Sequence, residues 1–141
     1  MVKLGIGTWA VRHYPYPQST YVLDWAAARG VDVEIIDAWA DFYSFDQKEL
    51  AALRDDYARR HLAVPAVCPT HITLSEPALA RKNAARVTAA IDVAAFMGAP
   101  VINLSLVQTV APHSSRDPAV TDHHYDIIAA EVRTLADRAA R

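Results

Sequence analysis

Ala27-Ala28-Arg29-Gly30-Val31-Asp32-Val33-Glu34-Ile35-Ile36-Asp37 passes from the end of a helix, through a glycine, into a strand. Gly30 stands where helices favour a left-handed stop. The residues after it are β-branched and almost continuously apolar, the pattern of a strand covered on both faces in a parallel sheet. Glu34 breaks that pattern in mid-strand and Asp37 closes it. A carboxylate in such a strand carries a heavy desolvation cost unless it is paired or protonated. The step therefore sets both the fold class and the first candidate site residue.

Working outward, the helix before Gly30 starts at a Ser19/Thr20 cap, with Tyr21, Val22, Trp25 and Ala28 along one face. A Tyr/Pro-rich loop at 12–17 precedes it, because prolines deny the donors a helix needs. Ahead of the loop, the apolar run 3–9 (KLGIGTW) reads as a first strand, with Gly5 and Gly7 marking a close approach. On the other side, a loop of aromatic and small residues at 38–45 leads to a second helix. Asp46 caps it with Glu49 three residues on, and Leu50, Leu53 and Tyr57 face inward. A third strand spans 63–68 and ends at Pro69. Ser75 caps a long third helix with Val87, Ile91, Ala94 and Ala95 as its stripe and Gly98 as its stop. The fourth strand is 100–105 (PVINLS). A polar loop at 107–121 leads to a last helix that buries Tyr125, Ile128, Val132, Leu135 and Ala139.

The order is β-α-β-α-β-α-β-α, with strands starting near residues 3, 31, 63 and 100. Strands that alternate with helices require right-handed crossovers and a parallel sheet. An open doubly wound sheet and part of a closed barrel both satisfy that rule. The unit spacing, repeated eight times, gives the ~250 residues of a (β/α)8 TIM barrel. No G-x-G-x-x-G follows the first strand, which removes the best support for a dinucleotide-binding fold. The reading is one domain, residues 1–141, of four consecutive βα units of a TIM barrel, apparently a half barrel.

Composition narrows the function. With 52% hydrophobic and 21% charged residues, the chain is an ordinary globular α/β protein and not a disordered one. A net charge of −2 with scattered basic residues argues against nucleic acid or an anionic membrane as partner. One cysteine, Cys68, excludes an internal disulfide and a multi-cysteine zinc site, and its apolar run makes it a core thiol. No leader and no apolar stretch of about 18 residues is present, so the expectation is a cytoplasmic protein.

Polar residues at the carboxyl ends of parallel strands are the informative ones, because ligands gather there. Trp9 ends the first strand, where it packs in the core or stacks on a sugar ring. Glu34 and Asp37 lie on the second. His71 follows the third, and an imidazole there suits either acid/base work or metal ligation. Asn103 and Ser105 share one face of the fourth with Val101. Glu34 and His71 are the catalytic candidates, and Trp9, Asp37, Asn103 and Ser105 the substrate-binding ones. No metal ligand is assigned. His113, His123 and His124 read as loop and helix-start residues without the spacing of a metal site.

The run from Ala27 to Ile35, and the run Ile91-Asp92-Val93-Ala94-Ala95-Phe96-Met97-Gly98-Ala99-Pro100-Val101-Ile102-Asn103, resemble steps of the xylose-isomerase-like TIM-barrel superfamily of sugar phosphate isomerases and epimerases. The resemblance covers the N-terminal half of that barrel. It implies carbohydrate metabolism and an isomerase or epimerase in which a divalent metal ion (Mn, Mg, Co or Zn) acidifies a C–H next to a sugar carbonyl while paired carboxylates move the proton. It also implies that the metal ligands lie outside this chain, on strands five to eight. The partner it implies is a small sugar or polyol.

Since the chain stops in a helix where a fifth strand is due, three forms follow: a fragment of a longer protein, two copies pairing their half barrels as a homodimer, or a small open sheet. Beside the isomerase stand a metal-assisted lyase or dehydratase on an oxidised sugar, and a non-catalytic sugar-binding or subunit-interaction module.

Overall fold

The computed structural model describes residues 4–74, 77–104 and 122–140. Three parallel strands, β1 (Gly5–Gly7), β2 (Asp32–Ile36) and β3 (Val67–Cys68), lie in sequence order in one open sheet. β1 pairs with β2 through Ile6 and Val33, and β2 with β3 through Ile36 and Cys68. The fourth strand is reduced to a parallel bridge between Val67 and Ile102. Val67 donates to the Val101 carbonyl at 3.0 Å, and Asn103 donates back to the Val67 carbonyl at 3.0 Å. Pro65 and Pro69, which carry no N–H, confine β3 to two residues, where the sequence suggested a strand over 63–68.

The helices α1 (Tyr21–Ala27), α2 (Gln47–Arg59), α3 (Pro77–Met97) and α4 (Asp122–Ala139) complete the alternation. The Asp46/Glu49 capping box forms in full: Glu49 N–H donates to Asp46 Oδ1 at 2.8 Å, and Asp46 N–H donates to Glu49 Oε2 at 2.9 Å. Gly30 and Gly98 take the left-handed conformation at φ 62° and 71°, so both glycine stops hold. This is a parallel α/β half barrel.

Three local expectations change. The first strand ends at Gly7, and Thr8–Val11 winds into a 3-10 turn. Buried Thr8 accepts from the Ile36 N–H through Oγ1 at 3.2 Å, so this turn is tied to the end of β2. Second, α1 is rotated from the expected face: Val22, Leu23 and Ala26 are buried, whereas Tyr21 and Trp25 are exposed. Arg29 stacks on the Trp25 ring at 4.4 Å and shields part of it from water. Third, α3 buries Val87 and Ala94 as expected but adds Asn83, Ala90 and Val93, while Ala95, and Tyr125 on α4, are exposed.

The main core gathers Leu23, Val33, Ile35, Trp39, Leu53, Tyr57 and Val67 between the sheet and α1, α2 and α3. A second cluster, Ile72, Leu74, Val87 and Leu135, joins α3 to α4. Cys68 is buried. No helix among the described residues is long and apolar enough to cross a membrane.

Candidate functional site

The register of β1 on β2 puts Gly7 level with Glu34. Partnered residues in a parallel pair share a face, and Val33 and Ile35 pack outward into the helical core, so Glu34 projects from the other face of the sheet. Gly7 is what makes room for it: a Cβ there would stand 2.9 Å from Glu34 Oε2. Asn103 Nδ2 donates to Glu34 Oε1 at 2.9 Å, closing a link over 69 positions of sequence. Oε2 accepts no hydrogen bond among the described residues. Glu34 is therefore a half-buried carboxylate with one oxygen fixed and the other open.

At the carboxyl edge of the sheet, Trp9 is 45% exposed, so it is not core packing. Arg12 lies over its ring at 4.2 Å and donates from Nη1 to the Trp9 carbonyl at 2.8 Å. The His71 ring stands 6.2 Å from the Trp9 ring at 55°. His71 is held at φ 53°, a left-handed conformation uncommon for a residue with a side chain. The end of the first unit and the end of the third thus meet at one rim.

Asp37 occupies the same edge in a different way. Its side chain is 5% exposed, and Arg86 Nη2 reaches Oδ2 at 2.6 Å. Thr70 donates twice, from its N–H to Oδ2 at 3.1 Å and from Oγ1 to Oδ1 at 2.5 Å. Tyr43 donates its hydroxyl to Oδ2 at 3.2 Å. Burial, and then the Asp37 charge, push the Tyr43 phenol above its usual range, so it remains a donor. Four donors on two oxygens leave this carboxylate well satisfied. It lines a shallow open groove with Asp41, Tyr43, Thr70 and Arg86.

The structure thus brings Glu34 and Asn103 together, and separately Trp9 and His71, while Asp37 is drawn into an ion pair. Ser75, Ser105 and His113 lie outside the described residues. Sequence reasoning missed Arg12, Tyr43, Thr70 and Arg86. A signal existed for the α3 cation: Asn83 interrupts the buried stripe of α3, marking polar business on that face one turn before Arg86.

A xylose isomerase-like TIM barrel protein from Mycobacterium smegmatis, in complex with magnesium, matches at TM-score 0.73 and 20% identity over 99% of this chain and 54% of its own. A D-psicose 3-epimerase in the presence of D-fructose matches at TM-score 0.75 and 17% identity, over 99% of this chain and 49% of its own. The fold is that of about half of these TIM barrels. A 3-keto-D-glucoside 4-epimerase from E. coli matches at TM-score 0.70 and 13% identity, again over 99% and 54% of the two chains. The chain spans about half the length of these structures. No family model matches the sequence, and no curated protein matches it.

Trp9 and His71 lie at the carboxyl ends of the strands, with Glu34 and Asn103 linked on the face of the sheet opposite the helical core. The divalent cation implied by the resemblance does not fit these residues. Among the described residues no three His, Cys, Asp or Glu side chains converge, and Glu34 commits one oxygen to Asn103.

Proposed function

We propose that this chain is the substrate-contacting half of a sugar isomerase or epimerase barrel. Glu34 and His71 are its proton-handling groups, and Trp9 and Asn103 its sugar contacts. The single observation that carries the reading is the Glu34 carboxylate, fixed by Asn103 above a glycine that leaves it room. A half-buried carboxylate with one oxygen pinned and one open suits a base that takes a proton from carbon or from a sugar hydroxyl. His71 beside Trp9 supplies a second group able to give or accept a proton, and the indole offers an apolar face to a sugar ring. Arg12 on that indole adds a donor for sugar oxygens.

The metal-dependent part of the chemistry belongs, in this reading, to residues beyond the half barrel, as does the choice of sugar and its phosphorylation. Ser105, two positions after Asn103 in the sequence, joins the contact set. A pairing of two copies would cover the open sheet edges.

The test is calorimetric titration of the full chain with D-fructose, alongside proton NMR in D2O with and without Mg2+. Binding together with exchange of a carbon-bound proton supports the isomerase reading. Binding without exchange moves the chain to the sugar-binding module. Neither binding nor exchange overturns both.

A further inference from the structure

We propose that Arg86 and Asp37 form a positioning clamp that sets the backbone of Thr70 and His71, and so aims the His71 ring at Trp9. The proposal rests on the functional reading above, in which His71 handles a proton. Arg86 comes from α3 and Asp37 from the end of β2, so the clamp spans two βα units. Arg86 Nη2 bonds both Asp37 Oδ2 at 2.6 Å and the Thr70 carbonyl at 3.1 Å. Its Nη1 makes a longer 3.5 Å contact with the His71 carbonyl. Asp37 holds the same segment from the other side, through the Thr70 N–H and hydroxyl. Apart from the ion pair itself, each of these bonds falls on Thr70 or on the His71 backbone, and none on the imidazole.

That pattern fits an unusual backbone need. His71 sits at φ 53° without being glycine, and such a conformation persists only where its surroundings over-determine it. A planar guanidinium suits the task, since its fork reaches a carboxylate and two carbonyls at once. A lysine could satisfy Asp37 but could not span all three. Tyr43, under the guanidinium at 5.1 Å and bonded to Asp37, fixes the plane of the fork. The consequence is a division of labour at the rim: Asp37 shapes the site and His71 meets the ligand.

The experiment is a double-mutant cycle read by NMR on the full chain. The His71 Cε1 proton, assigned by its loss in His71→Gln, carries a ring-current shift that Trp9→Ala removes. In wild type that difference is finite. In Arg86→Lys the chain stays folded while the Trp9-dependent shift is lost, and Arg86→Ala behaves likewise. Survival of the full shift in a folded Arg86→Lys chain overturns the clamp. Should Arg86→Ala fail to fold, Asp37→Asn, which keeps the shape and removes the charge, is read the same way. A clamp that behaves as stated in a chain that binds no D-fructose sinks the functional reading and leaves the geometry standing. A chain that binds D-fructose with His71 aimed correctly in every variant sinks the clamp alone.

Discussion

Arg86 Nη2 lies 2.6 Å from Asp37 Oδ2 across 49 positions of sequence, and the carboxylate is almost wholly buried while the guanidinium is 28% exposed. Breaking a buried pair by removing one partner costs about 3–5 kcal/mol, chiefly because the other charge is stranded. Arg86 recovers some hydration through its exposed quarter, so Asp37→Ala belongs at the lower end, about 3 kcal/mol. Guanidinium chloride unfolding measures this. Replacing both partners, Asp37→Leu with Arg86→Met, should return only part of the loss: no charge is left alone, but the Thr70 N–H and hydroxyl and the Tyr43 hydroxyl lose their acceptor. A single Asp37→Ala within about 0.5 kcal/mol of wild type would show a pair solvated enough to be dispensable.

Gly7→Ala separates the carboxylate from the fold. The Gly7 backbone, at φ −86° and ψ 141°, is extended and accepts alanine without strain. The new Cβ would sit 2.9 Å from Glu34 Oε2, and the flexible end of that side chain is what must move. Stability should change by less than about 1 kcal/mol, a typical surface-like effect. On the proposed sugar-binding reading, affinity for D-fructose should fall roughly tenfold, or about 1.4 kcal/mol. Glu34→Gln should likewise spare folding and weaken binding. If Glu34→Gln instead lowers the melting temperature and leaves binding intact, Glu34 is a structural partner of Asn103.

The Tyr57 hydroxyl is buried with no hydrogen-bond partner among the described residues, and its residue is 2% exposed. Burial, with the nearby Tyr16 and Glu34 adding to it, raises the phenol well above 10.0. The folded chain then keeps this proton at a pH where the unfolded chain has lost it. More protons are bound in the folded state, so stability is flat for this group below pH 10 and falls above it. The slope for Tyr57 is about 1.4 kcal/mol per pH unit. Tyr16, bonded to Asp56, and Tyr43, bonded to Asp37, shift the same way. Tyr57→Phe should flatten the alkaline limb and, at pH 7, stabilise the chain by about 1 kcal/mol by deleting an unsatisfied group. Urea melts at pH 7, 10 and 11 read both effects. A destabilised Tyr57→Phe at pH 7 would mean that the hydroxyl has a partner after all.

The parts of this fold that rest on local chemistry could be read from sequence. Gly30 and Gly98 announce their left-handed stops, and Asp46 with Glu49 announces a capping box, because each works within one turn of chain. The βα alternation is legible for the same reason. Strand length was not: β3 shrinks to two residues because Pro65 and Pro69 remove donors whose value depends on the neighbouring strand. The candidate site was half legible. Glu34 and Asn103 stood out as polar residues in apolar runs, but their bond spans 69 positions and no periodicity encodes it. Asp37 stood out too, yet its partners Arg86 and Thr70 come from other units, so sequence shows the carboxylate without the charge that satisfies it. Trp9 lies outside the core, with Arg12, three residues on, over its ring.

The face of α1 offers the cleanest check on packing. In a helix of seven residues the stripes Tyr21/Val22/Trp25 and Val22/Leu23/Ala26 share Val22 and stand one residue out of register, a rotation of about 100°. The sequence favours the aromatic stripe by size, and the structure buries the aliphatic one, with Leu23 and Ala26 fully enclosed by the main core. Aromatic rings tolerate a half-exposed position when a cation lies on them, as Arg29 does on Trp25 at 4.4 Å. Leu23→Ala should therefore cost about 2–5 kcal/mol, the range for a truncated core leucine. Trp25→Ala should cost no more than about 1 kcal/mol, the worth of an exposed cation–π contact. Denaturant unfolding of the two variants decides between the faces: if Trp25→Ala proves the more damaging, α1 is turned toward its aromatic side and the packing of β1 and β2 beneath it has to be redrawn.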